Sequence, residues 1–145
     1  MITTEEIAIK VRQMLIDGMG INTDYAENPD YQRKDYSKEG IIIVPRSIDG
    51  EGSVRNGSIN VNIHVPDIPQ GVGCGKALFH TNFARLIELR KKAMEILQNH
   101  YEHGCGYNWL IGLINPPMQE PNHNEHFVSF SLDIVVREKK SNNLI

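Results

Sequence analysis

Ile59, Val61, Ile63 and Val65 alternate with Asn60, Asn62 and His64, and the same period returns at Val128, Phe130, Leu132, Ile134 and Val136. Successive side chains of a strand point to opposite faces, so each stretch reads as a strand with one apolar and one polar face. Ser129, Ser131, Asp133 and Arg137 occupy the polar positions of the second stretch. Strands patterned this way belong to antiparallel sheets that bury one face and leave the other polar. Something apolar must therefore cover one side.

Two amphipathic segments can supply that cover. Thr3 and Glu6 have the spacing of a capping box, and Ile7, Val11, Met14 and Leu15 follow at helical intervals. A first helix is expected near 4–18, with Gly18 and Gly20 as stop signals. A second is expected near 81–101, its apolar stripe formed by Phe83, Leu86, Ile87, Ala93, Met94, Leu97 and Tyr101. The run 41–46, "IIIVPR", suits a strand, and 47–57 holds the turn dipeptides Asp49-Gly50 and Asn56-Gly57. "YNWLIGLI", 107–114, is apolar on both faces, which suggests a central strand ending at Pro116-Pro117. The connector at 115–125 is polar and proline-rich, as an exposed hairpin loop would be.

The order is thus α-β-β-α-β-β. It predicts a single α+β domain over 1–145, a two-layer sandwich of about four mainly antiparallel strands with both helices on one face. Residues 21–40 read as a long polar loop, and 139–145 as a frayed tail.

Composition narrows the function. With 15 Lys+Arg against 18 Asp+Glu, the formal charge is −3, unlike the basic footprint of a nucleic-acid binder. No apolar run approaches the ~20 residues needed to span a bilayer, and the acidic start "MITTEEIAIK" is unlike a secretory leader. A cytoplasmic protein is expected, with no nucleic-acid or membrane partner. Cys74 and Cys105 are too few for a disulfide scaffold and read as small hydrophobes or idle thiols.

Chemistry finds little anchor. "GVGCGK", 71–76, has a glycine-spaced lysine, but Lys76 is followed by Ala77 and not by Ser or Thr, so the phosphate-loop pattern fails. The glycines read as architecture, a turn at Pro66-Asp67 and a loop climbing to the second helix. His100, His103 and Cys105, and again His123, Glu125 and His126, lack zinc-ligand spacings. No nucleophile sits in a catalytic signature. No catalytic, cofactor or metal residues are expected.

The remaining features suit contacts with other proteins. Tyr25, Tyr31 and Tyr36 in the polar loop, Arg55 in the first hairpin tip, and Asp67 at the end of the second strand are the candidate subunit or partner contacts. This element order, with "INVNIHVPD" (59–67) closing the second strand and an amphipathic helix after a polar loop, resembles the tail terminator and tail completion proteins of long-tailed bacteriophages. The likeness spans residues 3–138. It implies a structural protein without catalysis, forming a hexameric ring of its own copies between the tail tube and the head connector. It implies assembly in the cytoplasm of the host and a place in the virion tail. A different class of reading is a small enzyme or ligand binder, metal-dependent or not, using the polar sheet face at Asn60, Asn62, His64 and Asp133.

Overall fold

The computed structural model of the chain describes residues 1–26, 35–98, 100–101 and 106–138. Its elements run α1 (Thr4–Met19), β1 (Thr23–Tyr25), β2 (Gly40–Ile48), β3 (Val54–Pro66), β4 (Ile68–Gly73), β5 (Lys76–His80), α2 (Phe83–Leu97), β6 (His100–Tyr101), β7 (Tyr107–Gln119) and β8 (Glu125–Arg137). Six of the strands form one sheet in the order β1-β2-β3-β8-β7-β6, and β4 with β5 forms a separate two-stranded sheet. The long strands β2, β3, β8 and β7 are antiparallel neighbours, whereas β1 runs parallel to β2.

Register decides which face is buried. Ile59, Val61 and Ile63 of β3 stand opposite Leu132, Phe130 and Val128 of β8. All six side chains join one core with Ile41, Ile43 and Trp109. Onto that face α1 brings Ile7, Ala8, Val11 and Leu15, and α2 brings Leu86, Leu89, Ala93 and Leu97. The helices touch each other, α1 lying over β1, β2 and β3 and α2 over β3, β8 and β7. The α+β class and the shared helical face thus follow the alternation read from the sequence.

Helix ends show why the expected boundaries shift. Gly20 closes α1 in the left-handed conformation, φ 68°, its N–H donating to Ile16 O at 3.0 Å. At the other end Thr3 is the N-cap residue but makes no capping bond. Its hydroxyl bonds the Glu5 carboxylate instead, which holds Glu5 below its ordinary pKa. The capping box with Glu6 is therefore absent. In α2, Asn82 is the N-cap and its side chain accepts from Arg85 N at 3.3 Å. That helix stops at Leu97, and Tyr101 falls in β6. The Trp109 indole Nε1 donates to Leu97 O at 3.2 Å and to Gln98 O at 3.1 Å, satisfying carbonyls the helix end leaves open.

Several expectations need correction. The sheet has six strands and not about four, because β1 and β6 add short edges that carry too few residues to show a period; it is mainly antiparallel, as expected, with β1–β2 the one parallel pair among the described residues. Within the supposed loop 21–40, Thr23–Tyr25 is strand; residues 27–34 lie outside the described residues, as does the tail 139–145. Asn56-Gly57 is no turn but lies inside β3, where a Cβ on Gly57 would come within 2.8 Å of Ile48 Cβ. Glycine is required there by close approach and not by conformation. The strand β7 is not central; β3 and β8 are, and β7 passes through Pro116-Pro117 because its pairing with β8 is bulged there and its other side lacks a partner strand among the described residues. The α2 stripe is rotated as well, since Leu89 is buried while Phe83 and Ile87 are exposed.

Candidate functional site

The segment read as a climbing loop is a β-hairpin. Gly73 pairs with Lys76 across the two-residue turn Cys74-Gly75, and both turn residues have positive φ, 52° and 78°. That is the geometry of a type I′ turn, whose twist matches the strands it joins. The signal was faint in the sequence. Pro69, Gly71 and Gly73 resemble a loop, and cysteine is an unusual residue at the first turn position.

This hairpin, β4–β5, is an arm. Among the described residues its two strands pack extensively only on each other. Every residue of it except Gly73 is exposed, and Val72 retains 76% of its surface. Opposite residues share a face, so Pro69, Val72, Ala77 and Phe79 make one wholly apolar side. Ile68, Leu78, Lys76 and His80 make the other.

The arm's base is held firmly. Asp67, just before β4, donates its backbone N–H to Asn124 O at 2.9 Å, and its carboxylate Oδ1 lies 2.7 Å from His126 Nδ1. Thr81, just after β5, puts its Oγ1 3.3 Å from Nδ1 and 3.2 Å from Nε2 of the same ring. Both feet of the arm are thus fastened to one histidine of β8. A hydroxyl, imidazole and carboxylate in contact invite comparison with a catalytic triad, but the near-equal distances put Thr81 Oγ1 over the ring. A proton relay needs it in line with Nε2. The cluster is a latch.

Asp67→Ala should therefore loosen the arm while sparing the core. The loss of one charge-assisted hydrogen bond weakens local protection by about 1.5–3 kcal/mol. Amide hydrogen exchange should accelerate across 68–80, with the slow amides of β3 and β8 unchanged. Unaltered exchange in the arm would show that the latch is idle.

A second polar cluster lies on the other sheet face. His64 Nδ1 approaches Glu125 Oε1 to 3.1 Å and Glu120 Oε2 to 3.9 Å, and the imidazole stacks on Phe127 with ring centroids 4.9 Å apart. The approach of His64 to Glu125 is close but off the hydrogen-bond line. Glu125 has no exposed surface and His64 only 5%. Of the polar-face residues, His64 and Ser129 are buried, Asn60, Asn62 and Ser131 are half-buried, and Asp133 is exposed. The face is therefore closed at the His64 end and open at the Asp133 end.

Of the candidate contact residues, Tyr36 and Asp67 both lie against the turn at His123 and Asn124, while Tyr25 and Arg55 have other partners. Tyr25 is half-buried beneath the Arg12 guanidinium, 5.6 Å from its ring centroid. Tyr36 stacks on His123 at 3.5 Å. Tyr31 lies outside the described residues. Arg55 is corrected outright: it is 2% exposed and spends its guanidinium on Ile2 O, Asp49 O and Glu138. The pairing of β3 with β8 extends back to Val54, so position 55 falls on the core side and not at a hairpin tip. Asp67 is bound in the latch. The exposed arm residues are the ones that sequence reasoning missed.

Among the described residues no three His, Cys, Asp or Glu side chains are grouped to hold a metal ion. His103 and Cys105 lie outside them, while His100 stacks on Trp109 at 4.1 Å and Cys74 is exposed on the arm's turn. A pocket of about 220 Å³, lined by Asp24, Asp35, Lys38 and Glu39 among others, is smaller than common ligand sites. No helix among the described residues is long and apolar enough to cross a membrane. No protein-family model matches the chain, and no curated protein matches it significantly.

Proposed function

We propose that this chain is a structural protein of a long-tailed phage or prophage, a tail terminator or tail completion protein that works as a ring of its own copies at the junction of tail and head. Its partners are other copies of itself and neighbouring tail and head-connector proteins, and it performs no catalysis. The observation that carries this reading is the arm. A scaffold of two helices on one face of an antiparallel hairpin pair projects a fastened β-hairpin that packs extensively on no other helix or strand among the described residues and leaves apolar side chains exposed. A two-stranded hairpin alone in water is marginal, so such an arm suits a molecule that works in an assembly.

The test is genetic and visual. In a phage carrying the gene, deletion should give tails of uncontrolled length or tails that fail to join heads, seen by electron microscopy. Normal infectious particles from the deletion would overturn the reading.

A further inference from the structure

We infer that the arm of one copy seats on the outer surface of β7 in the next copy, with Lys76 at the arm's turn facing Asp133. The inference rests on the ring reading for its biological setting, but its physical argument is separate.

Among the described residues, two strand-borne apolar surfaces do not pack extensively on each other. One is the arm. The other is a strip on the outer face of β7, where Leu110, Leu113 and Met118 each retain more than half of their surface, whereas Ile114 stands opposite Phe130 on the core side. Both lie on strands, where apolar exposure invites pairing or packing by another chain. The β7 strip cannot be covered by simple strand addition along its length. Pro116 and Pro117 lack N–H donors, and the register is bulged between Ile111 and Ile114 and again between Asn115 and Met118. Side-chain packing is what remains, and the arm offers it on both faces.

Charge makes a second copy the fitting occupant. Lys76 is the arm's one Lys, Arg, Asp or Glu residue. The exposed acid at the strip is Asp133, directly opposite Leu110 in register. Its carboxylate lies where a Cβ on Gly112 would fall, within 2.6 Å, and Ser131 Oγ donates to it at 3.4 Å while accepting from Leu113 N at 2.9 Å. The carboxylate is therefore held on the surface of β7 beside Leu110 and Leu113. One chain thus carries an apolar arm tipped with a cation and an apolar strip marked with an anion. Two different patches that fit each other make a head-to-tail contact, which closes into a ring or continues as a filament. The latch at Asp67, His126 and Thr81 fixes the arm's feet beforehand and lowers the ordering cost of docking.

The experiment uses the full chain, half of it isotopically labelled, at high concentration. Carbodiimide, which joins amines to carboxylates, should yield a Lys76–Asp133 link between labelled and unlabelled copies, identified by mass spectrometry. Lys76→Glu and Asp133→Lys should each weaken self-association in sedimentation by about tenfold, and the double swap should restore it. Val72→Asp should do the same as a single swap without rescue. All of these positions are exposed, so thermal unfolding of the variants serves as the folding control. Self-association that survives every arm variant would overturn the arm contact and leave the ring reading standing. A wild-type chain that neither associates nor cross-links would also overturn the arm contact, the tail role then being decided by the deletion alone. Arm variants that self-associate normally but fail in tail joining would assign the arm to a different partner, and would equally overturn it.

Discussion

Trp109→Ala should destabilise the protein by about 3–5 kcal/mol, as truncations of fully buried aromatic residues do. Trp109 is the largest side chain with no exposed surface. It stands opposite Ile134 in β8, stacks on His100 of β6, and caps the end of α2 through its indole N–H. The substitution therefore empties core volume and unties the helix from the sheet at once. Trp109→Phe separates the two effects. It keeps most of the volume and loses only the donor, so it should cost about 1–2 kcal/mol, the range of one buried hydrogen bond. Chemical denaturation monitored by circular dichroism measures both. A loss below about 1 kcal/mol for the alanine variant would mean that α2 is not anchored by this residue.

The second large effect is at Arg55. Arg55→Ala removes a guanidinium from a core position and strands the carbonyls of Ile2 and Asp49, which should cost about 3 kcal/mol. Arg55→Met, which restores volume without the bonds, should recover part of it. The partner carboxylate gives a pH signature. Glu138 is held below its ordinary value of 4.5, first by the Ile2 N–H and then by the Arg55 guanidinium and the chain's amino terminus. A carboxyl whose folded pKa is depressed stabilises the fold above its unfolded pKa and loses that contribution as pH falls through the folded one. Stability should thus decline on acidification below about 4.5, and Glu138→Gln should flatten that limb. An identical acid limb in the variant would show that the contact is not linked to folding.

The same residue shows where sequence reading stops. Arg55 sits at a core position of β3, but nothing local distinguishes it from a charge on an exposed turn, because Val54 and Gly57 do not extend the visible alternation. Its burial depends on Ile2 and Glu138, residues remote in the chain that register and helix placement bring alongside. Asp67 is a similar case. Its position at a strand end was legible, but its partner His126 was not. The arm was missed for a local reason, since Cys74-Gly75 makes a turn type that usually announces itself with asparagine or aspartate.

What the sequence determined by itself is periodic. Alternation at 59–65 and 128–136 set two strands and their buried faces, and helical spacing set α1 and α2, because these patterns repeat within a single element and need no partner to be seen. The left-handed cap at Gly20 belongs to the same class. Tertiary structure alone decided the rest: the short edge strands β1 and β6, the rotation of α2 that buries Leu89 and exposes Ile87, the closure of the polar face around His64 and Glu125, and the latch that carries the arm. Each of these depends on which remote residues come to lie opposite one another, and that is fixed by packing the whole sheet against both helices, not by any stretch of chain read alone.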